Sequence, residues 1–155
     1  GLGLKQIRDI KNYAPLHDIG KLGIPDNILK KPGPLTKEEF AEMKTHVAIG
    51  AELLKTAELP EIALNIIKYH HEKWEGNGYL EGLKGEEIPI EGRIVAISDV
   101  FDALTTERPY KSAFPVEKAV EIMTQDMKGS FDPNLLELFF SNMKEVLDIK
   151  RRLED

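Results

Sequence analysis

The sequence predicts an all-α domain on three observations: apolar residues recurring at helical spacing, threonine and proline signals that open helices, and one apolar series too long for a strand. A first short helix is expected from Leu4, Ile7 and Ile10, stopping before Pro15, because proline cannot continue the hydrogen-bond ladder of a helix interior. Pro15 in turn can open a second short helix that carries His17 and Lys21 on one side. Residues 23–35, with Pro25, Pro32, Gly33 and Pro34, read as a loop. Thr36 and Glu39 then make a capping box, and the helix it opens is expected to run to about Thr56. Ile62, Ile66, Ile67 and Tyr69 mark the next helix, ending near His70 and His71. Gly76, Gly78, Gly82, Gly85 and Pro89 make 73–90 the longest irregular stretch, and a loop of that length in a compact domain is usually functional. Ile94, Val95, Ile97, Val100, Phe101 and Leu104 predict a buried helix. Two more helices are expected near 115–128 and 133–152, each opening at a proline. No repeat or linker interrupts the chain, so 1–155 is expected to form one domain.

Composition narrows the partners. Twenty-seven acidic against 21 basic residues give a net charge of −6, which argues against a nucleic-acid polymer. A small anionic ligand stays open, because a metal site sets its own local field. The chain has no cysteine, which excludes disulfides and thiolate ligands and fits a reducing, cytoplasmic setting. No apolar run approaches the roughly 18 residues of a membrane span, and the start lacks the pattern of a signal peptide.

The chemistry concentrates on four histidines and their acidic neighbours. His17 and Asp18 are adjacent, so one backbone turn offers an imidazole and a carboxylate able to bridge two ions. Lys21 lies one turn on, placed either to neutralise a phosphate or to pair with Asp18. His46 has apolar helical neighbours that point it inward, and Gly50 one turn later permits close approach of another element. His70 and His71 stand where a helix meets the long loop, followed by Glu72, which reads equally as an orienter of a ligand or as a solvated carboxylate. Asp99 and Asp102 are three apart on an otherwise apolar helix; a metal answers the cost of burying the first, a basic partner or a helix cap that of the second. Arg108, Tyr110 and Lys111 follow, suited to phosphate oxygens or a guanine edge and also to plain surface charge.

Four runs, LHDIGKLGIPDNILKKPGPLT, THVAIGAELL, HHEKWEGNGYLEGLKGEEIP and RIVAISDVFDALTTERPYK, together resemble the HD-GYP domain, a branch of the HD metal-dependent phosphohydrolases. The resemblance implies an all-α bundle of about six to seven helices with a long Gly-rich loop. It implies two or three transition-metal ions, Fe or Mn first and Ni or Zn as alternatives. The implied activity is hydrolysis of cyclic di-GMP to pGpG or GMP. Carried over by position, His17, Asp18, His46, His70, His71 and Asp99 would be metal ligands, with Asp18 bridging; Asp18 and Lys21 would be catalytic; and Lys21, Tyr79, Asp102, Arg108 and Lys111 would meet substrate. Diguanylate cyclase-type or adaptor proteins and a homodimer are further implications, and no membrane contact is expected of this domain.

The chain departs from the family pattern in places. Gly78-Tyr79-Leu80 carries leucine where the family has proline, and Pro15 just before the His-Asp pair is unusual. Family members also carry an upstream helix that supplies a further histidine, and no histidine precedes His17. A piece of a longer protein is therefore expected, lacking that first helix and an upstream sensory or receiver domain. Two rival readings stay open: a catalytically impaired module that binds nucleotide or a protein partner, and an HD phosphohydrolase acting on another nucleotide.

Overall fold

A computed structural model describes residues 1–55, 57–107 and 112–154. The described residues are helical and irregular, with no strand among them, as the sequence predicts. The α-helices are α1 (Leu4–Tyr13), α2 (Asp26–Leu29), α3 (Lys37–Lys44), α4 (His46–Leu53), α5 (Glu61–Tyr69), α6 (Ile90–Thr105), α7 (Val116–Glu121), α8 (Pro133–Ser141) and α9 (Met143–Glu154). None among the described residues is long and apolar enough to cross a membrane.

Helix α6 is the spine. It packs on α5, α7 and α8, and α5 packs in turn on α1 and α4. One core cluster joins Ile10, Ile66 and Val95; another joins Ile97, Phe101 and Leu104 to Ala119, Met123 and Phe131. Val95 and Ile97 thus place one helix in both cores. At the far end Arg93 donates to Asp132 at 2.8 Å, and Asp132 also accepts from the backbone N–H groups of Asn134 and Leu135, capping α8. Both partners are largely withdrawn from water.

The structure divides the predicted helices more finely than apolar spacing shows. The helix opened by Thr36 and Glu39 has its capping box, with Glu39 N–H donating to Thr36 Oγ1 at 3.2 Å and Thr36 N–H to Glu39 Oε2 at 2.7 Å. It stops at Thr45, whose hydroxyl donates to the Glu42 carbonyl at 2.6 Å, and α4 restarts at His46. The loop expected at 23–35 contains the short α2, which buries Ile28 beside Ile24. The segment Pro15 was expected to open forms 3₁₀ turns, Ala14–Leu16 and Ile19–Gly23. Beyond α7 the chain continues as a π-helical turn, Ile122–Asp126, where Thr124 Oγ1 donates to the Val120 carbonyl at 2.8 Å. The last predicted helix breaks at Asn142, whose side-chain amide donates to the Leu138 carbonyl at 2.8 Å.

Candidate metal centre

The site is built where the turn Ile19–Gly23 crosses α4. A Cβ added to Gly20 would stand 1.8 Å from the His46 carbonyl oxygen, so only glycine permits this crossing. Gly50 lies opposite, where an added Cβ would be 3.2 Å from Gly20 N. The close approach expected at Gly50 is therefore made by the turn that carries His17 and Asp18 to the start of α4.

Backbone carbonyls aim the imidazoles. His17 Nδ1 lies 2.7 Å from the Ala14 carbonyl and His46 Nδ1 2.7 Å from that of Met43. His70 Nδ1 lies 3.0 and 3.1 Å from the Ile66 and Ile67 carbonyls. A carbonyl only accepts, so each Nδ1 carries the proton and each Nε2 is turned to the centre. There Asp18 divides its oxygens. Its Oδ1 is 3.5 Å from His46 Nε2 and 4.0 Å from His70 Nε2. Its Oδ2 is 2.5 Å from Lys21 Nζ and 3.3 Å from His17 Nε2. Asp99 reaches His17 Nε2 from α6 at 3.6 Å. His71 completes the group, its ring centroid 4.1 Å from that of His70 and 5.2 Å from that of His46.

Electrostatics separates the imidazoles into two kinds. Burial works against a charge on His17, but its bonds to Asp18 and Asp99 prevail and push its pKa up to about 10. Burial also opposes charge on Asp18 and Asp99, yet His17 holds both below the usual carboxylate range, with Lys21 helping at Asp18. Burial lowers His46, and burial together with neighbouring imidazoles lowers His70 to about 4 and His71 to about 3. Those last three are neutral, the form in which imidazole binds a metal.

The donor set fits a divalent ion. Asp18, His46, His70 and His71 each offer a ligand atom, all within 4.8 Å of one another. His46 Nε2 and His70 Nε2 are buried with no hydrogen-bond partner. Leaving such a nitrogen unsatisfied costs about 1–3 kcal/mol, which coordination would remove.

The remaining sequence-predicted positions separate. Lys21 is at the centre, paired with Asp18. Tyr79 lies beside it, its ring 4.5 Å from that of His71. Asp102 is exposed rather than on a buried face, so the burial cost expected of it does not arise; Lys150 of α9 lies 3.5 Å away and Thr106 Oγ1 2.8 Å away. Arg108, Tyr110 and Lys111 lie outside the described residues.

Glu72 has a role that neither reading of the sequence gave it. Its carboxylate is buried, and Oε1 accepts from the backbone N–H groups of Leu80, Glu81 and Gly82 at 3.3, 2.7 and 3.1 Å. A Cβ on Gly78 would stand 2.2 Å from Glu72 Oε2, so glycine there makes room for the carboxylate. Glu72 thereby fixes the loop that holds Tyr79 beside His71. The available signal was a glycine-rich loop with many backbone donors and a carboxylate at its root.

The HD domain family profile matches residues 4–135. This chain is an HD domain. The HD-GYP resemblance carried by its motifs holds in the comparisons too. The HD domain is 46% identical over 151 residues to a cyclic di-GMP phosphodiesterase of Thermotoga maritima, covering 96% of this chain and 41% of that protein. It is 44% identical over 157 residues to 3'3'-cGAMP-specific phosphodiesterase 2 of Vibrio cholerae, covering 100% of this chain and 30% of that one. It thus spans well under half the length of these relatives. A solved HDG"Y"P protein from Bdellovibrio bacteriovorus shares the fold, with a TM-score of 0.74 at 23% identity over 90% of this chain and 44% of that one.

Proposed function

We propose that this HD domain is a metal-dependent phosphodiesterase that hydrolyses cyclic di-GMP to pGpG or GMP. The observation that carries the reading is the two-faced Asp18, with neutral, orphaned imidazoles on one oxygen and His17 with Lys21 on the other. The relatives' names supply the substrate class. Two or three transition-metal ions, Fe or Mn before Ni or Zn, would be held by His17, Asp18, His46, His70, His71 and Asp99. When bound they supply Lewis-acid charge and an acidified water for attack on phosphorus.

The chain's own groups do the rest. Lys21 sets an ammonium beside Asp18, where it meets a phosphate oxygen and offsets charge that grows on it. Arg108 and Lys111 supply further phosphate contacts in this reading, and Tyr79 lines the nucleotide side. Asp18 and Lys21 are the catalytic pair, and no protein nucleophile is used. A cytoplasmic setting follows from the substrate class, and a homodimer with diguanylate cyclase-type or adaptor partners rests on family resemblance alone.

The test is an assay of protein reconstituted with Fe or Mn, following cyclic di-GMP and its linear products by chromatography. Appearance of pGpG or GMP supports the reading, and a metal-loaded protein that leaves cyclic di-GMP intact overturns it. A second substrate, 3'3'-cGAMP, belongs in the same assay because a relative 44% identical is named for it.

A further inference from the structure

The aromatic surface beside the metal centre extends beyond the motif residues. Outward from His71 stands Tyr79, with ring centroids 4.5 Å apart and an interplanar angle of 33°. Phe40 stands beyond it, edge to face, with centroids 5.8 Å apart at 89°. Phe40 belongs to neither core cluster and is 43% exposed. One turn along α3, Lys44 holds its ammonium 5.5 Å from the Phe40 centroid and 5.7 Å from that of Tyr79. Two segments remote in sequence thus place two aromatic rings and one cation at the edge of the centre. The loop carrying Tyr79 is fixed by Glu72, so the surface is preformed.

From this geometry we propose that Phe40 and Tyr79 form an aromatic wall for a purine base, which stacks on Phe40 and meets the perpendicular Tyr79 edge-on, with Lys44 donating to acceptor atoms on the base edge. The proposal rests on the phosphodiesterase reading and names the part of the site that grips the base. An exposed ring leaves apolar area in water, and a flat base covers it with little cost in order because the ring is already held. Lysine suits a base edge that offers oxygen and ring-nitrogen acceptors, as guanine does. Lys21 and the carboxylates take the phosphate and metal side, and Phe40 stands beyond Tyr79 on the other side of His71. The wall selects substrate rather than accelerating cleavage.

The experiment compares wild type with Phe40→Ala and Phe40→Trp after reconstitution with Mn, measuring KM and kcat for cyclic di-GMP, metal content and melting temperature. Phe40→Ala is expected to raise KM about tenfold, within the range for loss of one base-stacking ring. The change should fall on KM and not on kcat, with metal content and melting temperature held and KM restored by tryptophan. An unchanged KM in Phe40→Ala overturns the wall while leaving the phosphodiesterase reading intact. If wild type hydrolyses no cyclic di-GMP, that reading fails by itself, and the wall is decided by calorimetric titration with GMP. Weaker binding to Phe40→Ala than to wild type then supports it, and equal affinity, or no binding to either, overturns it.

Discussion

Asp18 is where the two sides of the centre meet. Its oxygens serve different neighbours, whereas among the described residues the ion pair of Asp99 is with His17. Asp18→Ala is therefore expected to lose more bound metal than Asp99→Ala, read by elemental analysis after reconstitution with Mn; equal losses would show that the divided carboxylate has no special part. Gly20 gives a second residue-level expectation. A methyl there meets a backbone oxygen that no rotamer change can move, so Gly20→Ala should cost about 3 kcal/mol or more in urea unfolding. At this scale the sequence was legible where spacing puts a chemical type on a known turn, as it does for the four histidines. Glu72 was not, because its role depends on where the N–H groups of residues 80–82 fold back. Asp102 was misread: apolar spacing put it on a buried face, whereas it is exposed and pairs with Lys150, 48 positions away.

Helix existence was readable from apolar period, and helix interruption was not. The breaks at Thr45 and Asn142 come from side chains bonding their own backbone, to Glu42 and Leu138, and such competition leaves no mark on hydrophobic spacing. The break at Thr45 matters to the site because it sets His46 at the opening of α4. The start of α3 supplies a pH-dependent prediction. Glu39 is held below its ordinary value of 4.5, first by Lys31 and then by the Thr36 N–H. A carboxyl depressed on folding adds stability above its unfolded value, and that stability is lost as pH falls through the lower folded value. Glu39→Gln should accordingly lower the melting temperature at neutral pH, with the gap to wild type closing below about pH 4.5. A gap that is constant from neutral to acid would place the effect in the cap geometry rather than in the charge.

Across the whole molecule, α6 ties the two cores together, and the Arg93–Asp132 pair locks α6 to the start of α8. Removing one member of a withdrawn pair strands the other charge. Asp132→Ala, which also uncaps α8, is expected to cost about 3–5 kcal/mol in denaturant unfolding. Replacing both residues with apolar ones should recover much of that loss, because no charge is then left stranded. A double variant as weak as the single one would mean that the cap, and not the ion pair, carries the energy. The all-α class was legible in the sequence, since the periodic segments and the long glycine loop fall in their expected order. What spacing could not give is the crossing at Gly20, because a close approach between segments far apart in sequence is a property of the assembled chain.

The aiming of His17, His46 and His70 by carbonyls three or four positions behind them has a consequence for how tightly an ion is held. Each ring is already confined to one rotamer within its own turn, before any ion arrives. Uptake therefore surrenders little side-chain freedom, a loss that for mobile side chains amounts to about 0.5–1.5 kcal/mol each. The disorder is given up during folding, turn by turn, so the ion finds its donors waiting.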